Sequence, residues 1–504
     1  MFFIVCPSAL HNMSARFYAV ADRKTLSNCH QNNYIKGVST MEKFFGVREK
    51  GSTIRTEILA GITTFMAMAY ILMTNAGIFS SLGEGYYTAI YIATAVSAVV
   101  GTLLIAFVAN LPLAQASGMG LNAFFVYTVC LGLGFTYANA LTLVLFDGLL
   151  FVILTVTGLR KIIFNSIPKA VKIAIPAGIG LFIAFVGLQN AGIVVKDSAT
   201  AVNLSSFNVL AGVTWADIMP KIVTILSVAL IAVLAIKKVR GAVLWGILGG
   251  SAVYYLLGLS VNGFYANFFD GKTLNPLTAF ADFFNLSFGK VFTEGFDYSA
   301  FLANHSTTEL ILAIVTTALA FCMVDMFDTL GTLYGACSRG NMLTKDGDVP
   351  NMDRAMLSDA IATVFGAVCG TSTVTTFVES SAGVAEGGRT GLSALVTSGM
   401  FFVAMFLCPI AALIPSCATA AALIYVGILM MSCVKEIAWD NPEDAVPAFF
   451  TLAMMPFTYN ISYGIAFGLS SHILIKIFSG KIKDINVGTW VIGILFVLMF
   501  FLTH

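Results

Sequence analysis

Residues 369–385 read Cys369-Gly-Thr-Ser-Thr-Val-Thr-Thr-Phe-Val-Glu-Ser-Ser-Ala-Gly-Val-Ala, between long apolar segments. The run of small and hydroxylated residues suggests broken backbone that opens into a helix, and Glu379 stands at that opening. A carboxylate at membrane depth costs about 2.5–3.5 kcal/mol even on the lenient insertion scale, so such a residue usually carries function. One charge beside irregular backbone in an apolar chain points to a ligand site inside a membrane protein.

Composition agrees. The chain has 504 residues, 58% hydrophobic and 11% charged, with a mean hydropathy of +0.89. A soluble domain carries roughly 25% charged residues. The chain therefore reads as an all-α polytopic membrane protein. Its net charge of +1 leaves no polyanion footprint, so nucleic acid is not an expected partner. The nine cysteines form no C-x-x-C pair, and the five histidines are scattered. Neither a metal site nor a disulfide framework is expected, and no cofactor motif is present. Residues 1–40 are polar and without period, whereas Met41 opens Met-Glu-Lys-Phe-Phe-Gly-Val-Arg-Glu-Lys. The first 40 residues read as a disordered, dispensable extension or a mis-assigned start.

Apolar stretches long enough to span fall at about 57–80, 88–109, 113–134, 138–158, 168–188, 217–236 and 241–259. A second set falls at about 307–336, 354–369, 374–387, 391–413, 417–434, 446–461 and 463–479. A further apolar segment at about 487–503 is short for a span. Basic residues cluster at alternate joins: Lys50 and Arg55; Arg160, Lys161, Lys169 and Lys172; Lys237, Lys238 and Arg240; Arg339 and Lys345; Lys476, Lys481 and Lys483. The positive-inside rule makes that side cytoplasmic, with the N-terminus inside. Residues of about 260–305 then form an outer loop with interfacial helix. An odd number of spans per half inverts the second half. Weak similarity between Ile62-Thr-Thr-Phe-Met-Ala-Met-Ala-Tyr and Val315-Thr-Thr-Ala-Leu-Ala-Phe fits such a repeat.

Inverted repeats place a ligand site near the midplane, commonly at broken helices in matching positions. Leu111-Pro-Leu-Ala-Gln-Ala-Ser-Gly-Met-Gly-Leu-Asn in span three matches the Glu379 stretch in span ten. Span eight reads Ala320-Phe-Cys-Met-Val-Asp-Met-Phe-Asp-Thr-Leu-Gly-Thr. Asp325 and Asp328 are three apart and share a helix face. Carboxylates near one cavity suit a neutral heterocycle that offers ring N–H donors. A carboxylate in a low-dielectric cavity can also take up and release a coupling proton. Structural readings stand beside these. Asp328 also suits capping a helix break, and Asn122 also suits satisfying the irregular backbone beside it. Asp147 and Asp359 read as structural. Glu386 and Arg389 flank Gly387-Gly388 and read as a cytoplasmic turn closed by a local ion pair. No Gly-Lys-Ser/Thr follows that glycine pair and no nucleophile–histidine pairing occurs, so the chain does not read as an enzyme.

The segments together resemble the nucleobase–ascorbate transporter (nucleobase–cation symporter) superfamily, and within it the AzgA-like hypoxanthine/guanine/adenine permeases. The resemblance is carried by Gly61-Ile-Thr-Thr-Phe-Met-Ala-Met-Ala-Tyr-Ile, Gln115-Ala-Ser-Gly-Met-Gly-Leu-Asn-Ala-Phe-Phe, Val324-Asp-Met-Phe-Asp-Thr-Leu-Gly-Thr and the Gly370–Val384 stretch. Gly387-Gly-Arg-Thr-Gly-Leu and Ala422-Leu-Ile-Tyr-Val-Gly-Ile-Leu-Met-Met complete it. The resemblance implies fourteen transmembrane spans as 7+7 inverted repeats, with core and gate domains like those of uracil permeases. Short strands would lead into the half-helices of spans three and ten. It places the core in residues 54–158 and 307–413. The gate then comprises residues 168–300, with the outer loop, and 415–480. By the same resemblance Asp325 and Glu379 match acidic substrate ligands and proton-coupling positions. Asn122 matches a polar position of span three, and Phe377 a substrate-packing position. Thr329 replaces a histidine of the uracil permeases, which weakens a uracil reading. The implied activity is proton-coupled import of purine nucleobases across the plasma membrane by an elevator movement. Its partners are the purine, the proton and the lipid bilayer, with a homodimer left open. A carrier for xanthine, uracil or small anions is the alternative within the fold. A passive channel or a receptor is the alternative outside it.

Overall fold

Pro112, Gly118 and Gly120 stop a through-going helix in the third apolar stretch, and Gly370 with its run of Thr and Ser does so in the tenth. The computed structural model, which describes residues 40–158, 166–265, 275–344 and 348–502, shows what forms instead. Four strands occur among these residues: β1 (Gln115–Ser117), β2 (Val194–Asp197), β3 (Ala201–Leu204) and β4 (Val374–Thr376). β1 and β4 pair antiparallel, with Gln115 opposite Thr376 and Ser117 opposite Val374. Both strands are fully buried.

A buried two-stranded sheet has two open edges, and backbone polar groups away from water need partners. Two threonines supply them. Thr102 Oγ1 accepts from the Gln115 N–H at 3.0 Å and lies 3.1 Å from the Gln115 carbonyl. Thr363 Oγ1 accepts from the Val374 N–H at 3.2 Å and lies 3.0 Å from the Val374 carbonyl. Beyond the paired residues, Gly118 N–H donates to Thr373 O and Phe377 N–H to Ala114 O, each at 3.0 Å.

Helices fill the rest. The first half contains α1 (Ile54–Met68), α2 (Tyr70–Phe79), α3 (Tyr86–Leu104) and α4 (Met119–Ala123), which continues as a wider turn over Phe124–Gly132. α5 (Tyr137–Thr157), α6 (Lys169–Asn190), α7 (Trp215–Ile236) and α8 (Ala242–Gly258) follow. The second half contains α9 (Thr307–Arg339), α10 (Met352–Cys369), α11 (Ser380–Ala385), α12 (Gly391–Met405), α13 (Ser416–Met430), α14 (Pro442–Thr458), α15 (Ile461–Phe478) and α16 (Val487–Leu502). Capping boxes at Thr136, Thr214 and Ser306 start α5, α7 and α9 by satisfying their first N–H groups. Among the described residues, eight helical stretches are long and apolar enough to cross a membrane, and four more apolar helices are shorter. The apolar stretches read at about 354–369, 374–387 and 446–461 fall on α10, on β4 with α11, and on α14, which are not among these twelve.

The helices pack in two groups. α10 lies against α5 and α3, and α12 against α1 and α3. α6 lies against α13 and α14, α14 against α15, and α7 against α8 and α13. Short helices over Pro276–Asp282, Lys290–Thr293 and Ser299–Leu302 lie within the segment between the two halves. The last apolar segment, α16, packs on α15 and α9. The β2–β3 hairpin was outside the hydropathy pattern, since its residues are mostly exposed. Residues 1–39, Arg160, Lys161 and Lys345, on which parts of the sequence reading rest, lie outside the described residues.

One local expectation is corrected. Glu386 and Arg389 do not pair with each other. Glu386 takes a two-pronged bond from Arg240, at 2.9 and 2.6 Å, across from the end of α7. Arg389 donates to the carbonyls of Val384 and Gly388, both at 2.7 Å. The carbonyls in and just past the last turn of α11 attract the guanidinium, and the Gly387-Gly388 bend leaves Glu386 facing Arg240.

Candidate functional site

β4 ends at Thr376, the chain bends through Phe377 and Val378, and α11 begins at Ser380. Glu379 is therefore the last residue before a short helix, deep in the fold yet partly exposed. The Tyr70 hydroxyl donates to its Oε1 at 2.6 Å. Tyr70 is fully buried and opens α2 just after the break at Ala69 that separates α1 from α2. A buried tyrosine hydroxyl needs a partner, and here the partner is the carboxylate. A carboxylate has about four lone-pair sites, so the Tyr70 bond leaves Glu379 able to accept from a ligand.

The two span-eight acids separate. Three residues on a helix differ by about 60° in direction. Asp328 is partly exposed and sits within electrostatic reach of Glu379 and Tyr70. Asp325 has no exposed surface. Its Oδ2 lies 3.1 Å from Thr363 Oγ1 of α10, and it is within electrostatic reach of Asp359 and Asp147. The structure thus brings Glu379 and Asp328 together. It sets Asp325 behind them, with the two acids that read as structural in the sequence.

Asn122 is fully buried. Its Oδ1 accepts from Ser117 Oγ at 2.6 Å and from Ser372 Oγ. It ties the end of β1 to the segment before β4. Phe377 is buried and held by its backbone to Ala114, while Val378 is 48% exposed. A cavity of about 770 Å³ opens nearby between α6, α9 and α10, lined among others by Lys172, Pro176, Phe327, Leu330, Gly331 and Tyr334. Neither Glu379 nor Asp325 lines it, but Gly331 follows Asp328 by three residues, about one turn.

Residues 55–467 match the family model Xan_ur_permease, described as a permease family. The chain belongs to the nucleobase–ascorbate transporter family. It is a permease and not an enzyme. It is 34% identical over 466 residues to the adenine permease AdeP of Escherichia coli K12, covering 92% of this chain and 96% of that protein. It is 37% identical over 467 residues to the guanine/hypoxanthine permease PbuO of Bacillus subtilis 168, covering 91% of this chain and 100% of that protein. Among solved structures, the transmembrane domain of the cyanobacterial bicarbonate transporter BicA superposes with a TM-score of 0.57 at 16% identity, over 81% of this chain and 97% of that one. That similarity concerns the fold alone.

Sequence reasoning gave no role to Tyr70, Thr102, Thr363 or Gln115, and read Thr329 only as the replacement of a histidine. Thr329 Oγ1 donates to Asp359 Oδ2 at 2.7 Å, and Gln115 Nε2 donates to Asp359 Oδ1 at 2.8 Å. Their types carry no charge signal, and threonine is common in apolar helices. Tyr70 did have a signal, as a phenol inside an apolar span.

Proposed function

We propose that the chain is a secondary active transporter that imports purine nucleobases across the plasma membrane, with proton symport and an elevator-type movement. Its fourteen spans would form two inverted halves, with the N-terminus in the cytoplasm. The matching service of β1 by Thr102 and of β4 by Thr363 supports the repeat. The two packing groups support a core of α1–α5 with α9–α12 and a gate of α6–α8 with α13–α15. The relatives named adenine permease and guanine/hypoxanthine permease support the substrate class.

In this reading a purine ring lies against Phe377 and Val378. Its N–H groups donate to Glu379, with Asp328 beside it as a second acceptor. Charge-assisted bonds of this kind contribute about 1.5–3 kcal/mol each. Asp325 stands one step deeper and acts through proton uptake. Asn122 holds the β1 arm that closes the site from the other side. The cavity beside Gly331 lies between core and gate helices and serves as the release route towards the cytoplasm.

The single observation that carries the proposal is Glu379, bonded by Tyr70, next to Asp328 at the mouth of a buried strand pair. The test is uptake of labelled hypoxanthine by cells carrying Glu379→Gln or Asp325→Ala at normal surface level. Both variants should lose uptake. Near-normal uptake in both would remove the site assignment.

A further inference from the structure

Three carboxyls lie within electrostatic reach of one another behind the substrate-facing pair. Asp147 of α5, Asp325 of α9 and Asp359 of α10 each have no exposed surface. The hydrogen-bond supply among them is uneven. Asp359 is well served, by Gln115 Nε2 at 2.8 Å, Thr329 Oγ1 at 2.7 Å and Thr376 Oγ1 at 3.2 Å. Asp325 has Thr363 at one oxygen, and its Oδ1 has no partner. Asp147 has no hydroxyl or amide partner among the described residues, and its hydrogen-bonding neighbour is the Cys322 thiol. The titratable groups facing the cluster from α5, α9 and α10 are these three acids, Cys322 and Asp328. The strands contribute Gln115 and threonines but no charge. None of the ion pairs among the described residues involves the cluster.

Three ionised carboxylates cannot share a dry interior without a counter-charge. Like carboxyls in one site resolve that conflict by keeping protons between them. A metal ion would be the other remedy. However, among the described residues no three acidic, histidine or cysteine side chains converge closely enough to hold one. We propose that Asp147, Asp325 and Asp359 form a proton-binding site separate from the substrate-facing Asp328 and Glu379, whose occupancy strand β4 reads through Thr363. This rests on the reading of the chain as a coupled carrier.

Thr363 makes the reading mechanical. Its one hydroxyl hydrogen faces two acceptors, Asp325 Oδ2 at 3.1 Å and the Val374 carbonyl at 3.0 Å. It donates to one at a time. When Asp325 is ionised, the hydrogen goes to the carboxylate. When Asp325 gains a proton, the hydrogen returns to the β4 carbonyl. Thr376 of the same strand donates to Asp359, and Thr375 bonds Thr329, which itself donates to Asp359, so three successive residues of β4 join the hydrogen-bond network around the cluster. The step forms one O–H bond on a carboxylate and changes no other covalent bond. The proton enters from water by way of Asp328, which is partly exposed, and leaves as a proton.

The experiment uses the full chain, purified and in proteoliposomes, with labelled hypoxanthine and infrared difference spectroscopy. Wild type should accumulate hypoxanthine with an inward proton gradient and show a protonated-carboxyl C=O band at neutral pH. Asp147→Asn should weaken and shift that band and cut proton-driven accumulation by about tenfold, while hypoxanthine binding changes by less than about threefold. Thr363→Val should flatten the pH profile, and Thr363→Ser should restore it. A wild-type pH profile with an unchanged band in Asp147→Asn overturns the proposal. So does accumulation driven by sodium in wild type and lost in Asp147→Asn. Should Asp147→Asn not reach the membrane, absence of the band in wild type overturns it equally. Glu379→Gln separates the two readings, because it should lose hypoxanthine binding and keep the band. A wild-type protein that binds no purine yet shows an Asp147-dependent band would end the nucleobase reading and leave the proton site standing.

Discussion

The two arms of the buried strand pair are built alike and loaded differently. Each is a three-residue strand, each has its outer edge served by one threonine, and each feeds a short helix. On the β1 arm the polar residue that follows is Asn122, fully buried and bonded to Ser117 and Ser372. On the β4 arm it is Glu379, partly exposed and bonded by Tyr70. Among the described residues Thr102 bonds its strand alone, whereas Thr363 also reaches Asp325. Shared architecture thus positions both arms, and charge assigns the chemistry to one of them.

The largest expected effect comes from removing that charge. Glu379→Gln should lower hypoxanthine uptake by about 100-fold or more, the loss of one to two charge-assisted bonds at about 1.5–3 kcal/mol each. Asn122→Ala should instead act on folding, by about 1–3 kcal/mol, because it removes the acceptor shared by two buried serine hydroxyls. Thermal unfolding in detergent and uptake per surface molecule separate the two. An Asn122→Ala protein of normal stability without uptake would erase the contrast between the arms.

A second pair of substitutions tests what each arm packs against. A Cβ at Gly383 would strike the Thr64 hydroxyl and lie 2.5 Å from the Ala60 carbonyl of α1. Gly383→Ala should cost about 1–3 kcal/mol of stability, as overpacking does. A Cβ at Gly120 would strike Ile179 of α6, on the other packing group. Gly120→Ala should slow transport by about tenfold with a smaller loss of stability, if the groups slide past each other. Equal melting shifts with equal transport losses would argue against separate moving bodies.

Much of the frame was legible in the sequence. Length and hydropathy locate the apolar segments, and Pro112, Gly118, Gly370 and the Thr/Ser run mark the two breaks. Glu379 and Asp328 were legible as costly charges. Partnership was not. The separation of Asp325 from Glu379 depends on how α9 is rotated against α10, and periodicity alone cannot fix that rotation. Asp147 and Asp359 looked like isolated structural acids because the chain places them 212 residues apart from one another in sequence and only the fold packs α5 on α10. Glu57 escaped notice for the opposite reason. It lies among charges at the start of the first span, yet it is fully buried and accepts from the Arg389 N–H at 2.9 Å and the Thr390 N–H at 3.4 Å.

The smallest effect belongs to a contact outside the strand pair. Arg240 and Glu386 join the end of α7 to the end of α11, with side chains 52% and 30% exposed. Solvent screening holds such a pair to about 1 kcal/mol or less. Arg240→Ala should leave the melting temperature nearly unchanged and shift the transport rate by about twofold to threefold. A large loss of stability would mean that this link holds the two packing groups together rather than yielding as they move.

The most direct test of the central claim is uptake of labelled hypoxanthine into cells or proteoliposomes, competed with unlabelled adenine, guanine, xanthine and uracil, with and without a pH gradient. The account predicts saturable uptake that an inward proton gradient increases, with purine competitors blocking it and uracil leaving it intact. Absence of hypoxanthine uptake, or displacement by uracil as effective as by the purines, would contradict it.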